Sequence, residues 1–108
     1  MSQSLGAKRA PLGTLKPGKI SPRRAVPAHI DRPEYMYHSG PEVVTAGDIK
    51  SPETIEKIRV AGRIAAQALQ VVGEAVRPGV TTDELDRIGH EFIISHNAYP
   101  SCLGYMGF

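Results

Sequence analysis

The 108 residues carry 13 Lys and Arg against 11 Asp and Glu, a formal net charge of +2, with 41% hydrophobic residues, four tyrosines, two phenylalanines and no tryptophan. A chain this size holds one small domain without a generous core, no run approaches the roughly 18 to 20 apolar residues of a membrane span, and one cysteine excludes an internal disulfide. Residues 1–11 lack the apolar stretch of a secretory signal, and the prolines and glycines of the opening segment suit the amphipathic helix of an organelle presequence poorly, so a cytoplasmic protein with no membrane partner is expected.

The small net charge conceals two unlike parts. Residues 1–33 contain Lys8, Arg9, Lys16, Lys19, Arg23, Arg24 and Arg32 against Asp31 alone, a net +6, which leaves −4 on the rest. The same part is rich in proline, with Pro11, Pro17, Pro22, Pro27, Pro33 and Pro41. Each proline fixes φ and removes a backbone donor, so neither a helix nor a central strand can grow between them. Residues 1–47 therefore read as a proline-rich basic extension, extended or disordered, ahead of a different unit at 48–108. Its charge suits the phosphates of ribosomal RNA, although no aromatic residues interleave the basic ones for base stacking. No two prolines stand three apart, so a polyproline adaptor motif is absent. Within the extension, "IDRPEYMYHSG" at 30–40 gathers Tyr35, Met36 and Tyr37, an anchor by which the arm can dock onto a folded body.

At Ser51 the pattern changes. Ser51 suits an N-cap, Pro52 the first helical position and Glu53 the positive end of the helix dipole. Ile55, Ile58, Gly62, Ala65, Leu69, Val72 and Val76 follow at spacings of three and four, flanked by Ala61, Ile64, Ala68 and Val71. An amphipathic helix is expected from 51 to near 76, stopped by "RPG" at 77–79. Its small residues would let it sit close against a neighbour. A second helix is announced by Thr81 and Glu84, a capping box, with Asp83 in the first turn. Its apolar face is Leu85, Ile88, Phe92 and Ile93, and it should end near His96 and Asn97. Two helices alone leave apolar surface without a partner.

No local catalytic constellation emerges. His90 and Glu91 are adjacent, point in different directions on a helix and complete no HExxH pattern; His90 is expected to be partly exposed. His29, His38 and His96 fall in loops or at a helix end. The carboxylates of Asp83, Glu84 and Asp86 are accounted for by the dipole of the helix they open. "GYMGF" has no following helix or lysine to make a phosphate loop. No catalytic residue and no metal ligand is assigned. What remains is "SCLGYMGF" at 101–108, where Cys102, Tyr105, Met106 and Phe108, spaced by Gly104 and Gly107, offer soft sulfur and aromatic surface. Such a lining suits an unbranched apolar ligand like a methionine side chain.

The run from "SPETIEKIRVAGRIAAQALQ" through "VRPGVTTDELDRIGHEFIISHNAYPSCLGYMGF" resembles the N-terminal part of type I methionine aminopeptidases over residues 48–108, and "RPEY" at 32–35 resembles the longer bacterial form with a proline-rich extension. The resemblance implies the α+β pita-bread fold, helices packed outside a curved sheet, with this stretch contributing two α-helices and a terminal loop. It implies removal of the N-terminal methionine from nascent proteins by a monomeric enzyme holding two divalent metal ions, Co, Mn, Fe or Zn. It also implies that Cys102, Tyr105 and Phe108 line the methionine side-chain pocket. The family's catalytic histidine and its metal ligands fall beyond the point matching Phe108, so the chain is expected to be an N-terminal fragment that binds no metal alone. The alternative is a non-catalytic module whose basic arm binds the ribosome or RNA and whose helices bind a protein.

Overall fold

The computed structural model describes residues 13–41 and 47–108; the start of the extension, with Lys8, Arg9 and Pro11, and residues 42–46 lie outside the described residues. Helix α1 spans Pro52–Ala75 and helix α2 spans Thr82–Ser95. Both begin where the sequence places them. Ser51 Oγ accepts the Thr54 amide hydrogen at 3.2 Å, and Thr81 Oγ1 accepts that of Glu84 at 3.1 Å. The capping box is half made, because both Glu84 carboxylate oxygens take guanidinium hydrogens of Arg87 instead of returning to Thr81. α2 ends in a Schellman motif. The Asn97 amide donates to the Ile94 carbonyl at 3.0 Å and the Ala98 amide to the Ile93 carbonyl at 3.3 Å, with Asn97 itself at φ +57.

The connection from Val76 to Thr81 folds α2 back against α1, yet the hairpin buries less of α1 than its pattern offers. Ala68 is buried, and Ile64, Val71, Val72 and Ala75 are half-buried. The expected central stripe is instead largely in solvent, with Leu69 77% and Ile58 55% exposed. α2 therefore meets the flank of the apolar face. The close approach uses Gly89 of α2, where an added Cβ would lie 3.1 Å from Val72 Cγ2, and not Gly62 or Gly73, which have open space around them. α2 presents its expected face, with Leu85, Ile88, Phe92 and Ile93 half-buried.

From residue 13 to Pro27 the extension is extended, as its prolines dictate, but it lies on α2 through specific bonds. Ser21 Oγ donates to Asp83 Oδ2 at 2.6 Å. The Arg24 guanidinium bridges Asp83 Oδ1 and Asp86 Oδ2, each at 3.0 Å, and also donates to the Asp83 carbonyl at 2.9 Å. His90, only 8% exposed, places Nε2 2.9 Å from the Ala25 carbonyl, which requires the hydrogen on Nε2. The expectation of a partly exposed His90 is thus corrected: extended chain 65 residues earlier covers the ring and supplies its acceptor. Further along, His29 Nε2 lies 2.8 Å from Asn97 Oδ1. Arg32 folds back onto the carbonyls of Val26, Pro27 and Ile30 at 2.7 to 2.8 Å and fixes a turn over the buried Ile30.

Among the described residues there is no β-strand, and no helix is long and apolar enough to cross a membrane. The radius of gyration, 18.5 Å, exceeds the roughly 13 Å of a compact 100-residue domain, in keeping with a long helix packed along one flank only.

Three outcomes follow from these contacts. Gly89→Leu raises intrinsic helix propensity, yet it should lower the urea midpoint of the helical signal by the equivalent of about 1 to 3 kcal/mol, because Val72 leaves no room for the side chain. Arg24→Ala should free the arm, seen as faster chymotryptic cleavage after the buried Tyr35, with a loss of about 1.5 kcal/mol for a charge-assisted pair that is only partly exposed. On α2 the hydrogen bond from Arg87 holds the Glu84 carboxyl below its ordinary value of 4.5. The unfolded chain therefore takes up this proton first, so the contribution is intact above about pH 4.5 and fades as pH falls through the lower folded value. An acid titration followed by circular dichroism should show a component that Glu84→Gln removes.

Candidate functional site

After α2 the chain makes a tight loop held by its own backbone. The Leu103 amide donates to the Pro100 carbonyl at 3.2 Å and the Tyr105 amide to the Cys102 carbonyl at 3.0 Å. Gly104 and Phe108 close the end, with the Gly104 amide on the Phe108 carbonyl and the Phe108 amide on the Tyr105 carbonyl, both at 2.8 Å. Tyr105–Gly107 forms a single 3-10 turn entered through Gly104 at φ +85. Pro100 is buried, and the Tyr99 hydroxyl donates to the Leu103 carbonyl at 2.8 Å. Burial pushes the Tyr99 phenol above its ordinary value, Tyr35 adds to that shift, and Arg32 with its guanidinium 5.9 Å from the ring centre opposes it.

The arm reaches this loop at Glu34–Tyr37, another 3-10 turn. Tyr35, 6% exposed, takes the Cys102 amide hydrogen on its phenol oxygen at 3.1 Å. Its ring meets Tyr105 edge-on at 5.2 Å and Tyr99 at 6.5 Å. Met36 Sδ occupies the space that a side chain at Gly104 would need, so this glycine is required by close approach as well as by its backbone angle. The anchor expected of Tyr35, Met36 and Tyr37 is present in its first two members, whereas Tyr37 is 76% exposed.

Between the arm, α2 and the loop lies an open cleft of about 630 Å³. Val72, Leu85, Ile93, Leu103 and Phe108 give it an apolar side; Arg24, Asp83 and Asp86, already bound to one another, give it a polar one. The three residues expected to line a pocket are not gathered on it. Phe108 stands at the cleft, 79% exposed; Tyr105 packs against Tyr35; and Cys102, with φ +77, is exposed as a free thiol. The cleft can accept an apolar group against Phe108 and Leu103, and its Asp83, Asp86 and His90 are already hydrogen-bonded to the arm. Sequence reasoning missed Arg24, Asp83, Asp86 and His90 as a joint between the parts. The spacing of 83 and 86, which puts two carboxylates on one helix face opposite a basic segment, was the available signal.

Among the described residues no three His, Cys, Asp or Glu side chains gather where they could share a metal ion.

The sequence pattern of metallopeptidase family M24 matches residues 56–108. A methionine aminopeptidase 2 of Mycobacterium tuberculosis is 56% identical over 94 residues, covering 87% of this chain and 33% of the relative. The mitochondrial methionine aminopeptidase 1D of Dictyostelium discoideum is 42% identical over 103 residues, 93% of this chain and 26% of the relative. The chloroplastic methionine aminopeptidase 1B of Arabidopsis thaliana is 47% identical over 96 residues, 87% of this chain and 26% of the relative. The chain thus spans a quarter to a third of the length of these curated relatives, and each alignment is longer than residues 48–108, so it takes in much of the arm. Through residues 56–108 the chain belongs to metallopeptidase family M24, and its relatives there are methionine aminopeptidases.

Proposed function

We propose that the chain is the N-terminal part of a methionine aminopeptidase, an enzyme that removes the first methionine from newly made proteins, and that Ser101–Phe108 forms one wall of the pocket for the methionine side chain. The observation that carries this reading is identity with methionine aminopeptidases across both arm and helices, 56% over 94 residues in one case. The loop agrees with it chemically. Tyr105, Met106 and Phe108 present aromatic and sulfur surface without a charge, which suits a thioether and not a charged side chain.

A metallopeptidase uses a bound divalent metal, and the described residues do not fit that group. What this chain contributes is shape: a rigid apolar wall, and an arm that fixes it. Binding a methionine side chain on such a wall discriminates by buried apolar area and by sulfur contact with aromatic edges. Phe108, already at the cleft and largely exposed, is the wall residue with the most surface to offer a ligand. The basic extension acts secondarily in this reading. Lys16, Lys19 and Arg23 remain exposed for ribosomal phosphates, whereas Arg24 and Arg32 are engaged within the chain.

In the complete enzyme, Phe108→Ala should raise KM for methionyl peptides about tenfold, in line with loss of one well-buried aromatic contact, while bound metal stays unchanged. Loss of metal in that variant, or an unchanged KM, would overturn the pocket assignment.

A further inference from the structure

Cys102 sits at φ +77, a left-handed conformation that a residue with a Cβ keeps only when its surroundings hold it there. The amides of Leu103, Gly104, Tyr105 and Phe108 are taken up inside the loop. That of Cys102 is taken up from outside, by the phenol oxygen of Tyr35, 67 residues earlier. The same residue packs its ring edge against Tyr105 at 5.2 Å, and its neighbour Met36 fills the space over Gly104. Three successive features of the loop are therefore set by one turn of the arm: the Cys102 amide, the Gly104 backbone and the Tyr105 ring. The turn is itself fixed. Tyr35 is 6% exposed, and the Arg32 clamp on the Val26, Pro27 and Ile30 carbonyls directs the chain into it.

We propose that Tyr35 is a positioning residue for the methionine pocket: its phenol oxygen and ring edge hold Cys102–Phe108 in the shape that presents Phe108 to the cleft. This rests on the reading of that loop as a pocket wall. Tyr35 touches no ligand in this role and acts through the loop alone. The proline-rich arm is then a structural member of the site, in contrast to a tether beside it.

The test compares Tyr35→Phe, which keeps the ring and deletes the acceptor, with Tyr35→Ala, which deletes both, in the complete enzyme. Amide hydrogen exchange is read at Cys102, Gly104 and Phe108, and steady-state kinetics with a methionyl peptide. Tyr35→Phe should speed exchange at Cys102 about fivefold, the size of one neutral hydrogen bond, and leave Gly104 and Phe108 unchanged. It should raise KM about fivefold at constant kcat, and Tyr35→Ala should raise KM further and release Gly104 and Phe108 as well. Unchanged Cys102 exchange in Tyr35→Phe overturns the proposal. So does faster exchange with KM unchanged in both variants, since the loop would be held but would not shape a pocket. A fall in kcat with loss of metal in Tyr35→Phe would mark general unfolding and overturn it too. If wild-type enzyme released no methionine, the reading of the function would fall, and the exchange comparison would still decide whether Tyr35 holds the loop.

Discussion

The Arg24 guanidinium lies between two carboxylates one turn apart at the start of α2, 3.0 Å from each, with a third hydrogen bond to the Asp83 carbonyl. This joint holds the first described stretch of the arm on α2. A proline-rich segment has few amide hydrogens and no internal ladder, so it adheres to a surface only where side chains or carbonyls find partners. Asp83 stands in the first turn of α2, the helix end that favours negative charge, and Asp86 shares its face at i+3. Together they offer two carboxylates on one face to a single cation. On either side of Arg24, Ser21 reaches Asp83 and the Ala25 carbonyl meets His90.

The second consequence is one of length. From Asp83 to Asn97 α2 rises about 21 Å at 1.5 Å per residue. From Arg24 to Pro27 the arm has three extended steps, about 9 Å at the polyproline rise, before a turn closed by the Ile30 amide on the Pro27 carbonyl at 3.1 Å. The extended strap covers part of that distance, and the turn with the reaching side chains of Arg24 and His29 covers the rest. Pro22 and Pro27 hold φ near the value the strap needs and reduce the entropy lost on docking. The proline content that forbids a helix thus favours the strap. The straight run ends at Pro27, where the Arg32 clamp holds the turn over Ile30, and the chain then brings Tyr35 and Met36 to the loop at the far end of α2. Arm and loop are one assembly, built from segments more than sixty residues apart.

The parts of this arrangement that are local were legible in the sequence. Ser51 and Thr81 mark helix starts because a side-chain oxygen has one amide within reach, and Asn97 closes α2 because it tolerates the left-handed angle. The resemblance of residues 48–108 to methionine aminopeptidases gave the family, which the pattern of metallopeptidase family M24 and the relatives support. The long-range parts were hidden. Periodicity marked a broad apolar face on α1 but not which edge of it a partner would choose, so Ile58 and Leu69 looked central and stand exposed. His90 looked like a surface residue because its acceptor, a backbone carbonyl in the arm, carries no signature of its own. Gly89 was hidden for the same reason: the methyl of Val72 that demands a glycine belongs to the other helix. Tyr35 and Met36 were noticed as a cluster, but the residues they hold were not, because an amide at Cys102 looks like any other.

The charge split carries the same lesson about the arm. A net +6 in residues 1–33 reads most simply as attraction to a polyanion. Two of those charges have other uses: Arg32 caps carbonyls of its own turn, and Arg24, with a side chain 19% exposed, is committed to α2. The two aspartates are not equal partners. Asp86 is 72% exposed and its pairing is open to salt, whereas Asp83, at 43%, receives Ser21 and two guanidinium hydrogens, one of them through its backbone carbonyl. Rising ionic strength therefore weakens the Asp86 contact first and leaves the strap pinned at Asp83. A bound polyanion would compete for Lys16, Lys19 and Arg23 before it reached Arg24. The arm can thus meet an anionic surface with its exposed end while its other end keeps the loop in shape, since the two tasks fall to different residues of the same segment.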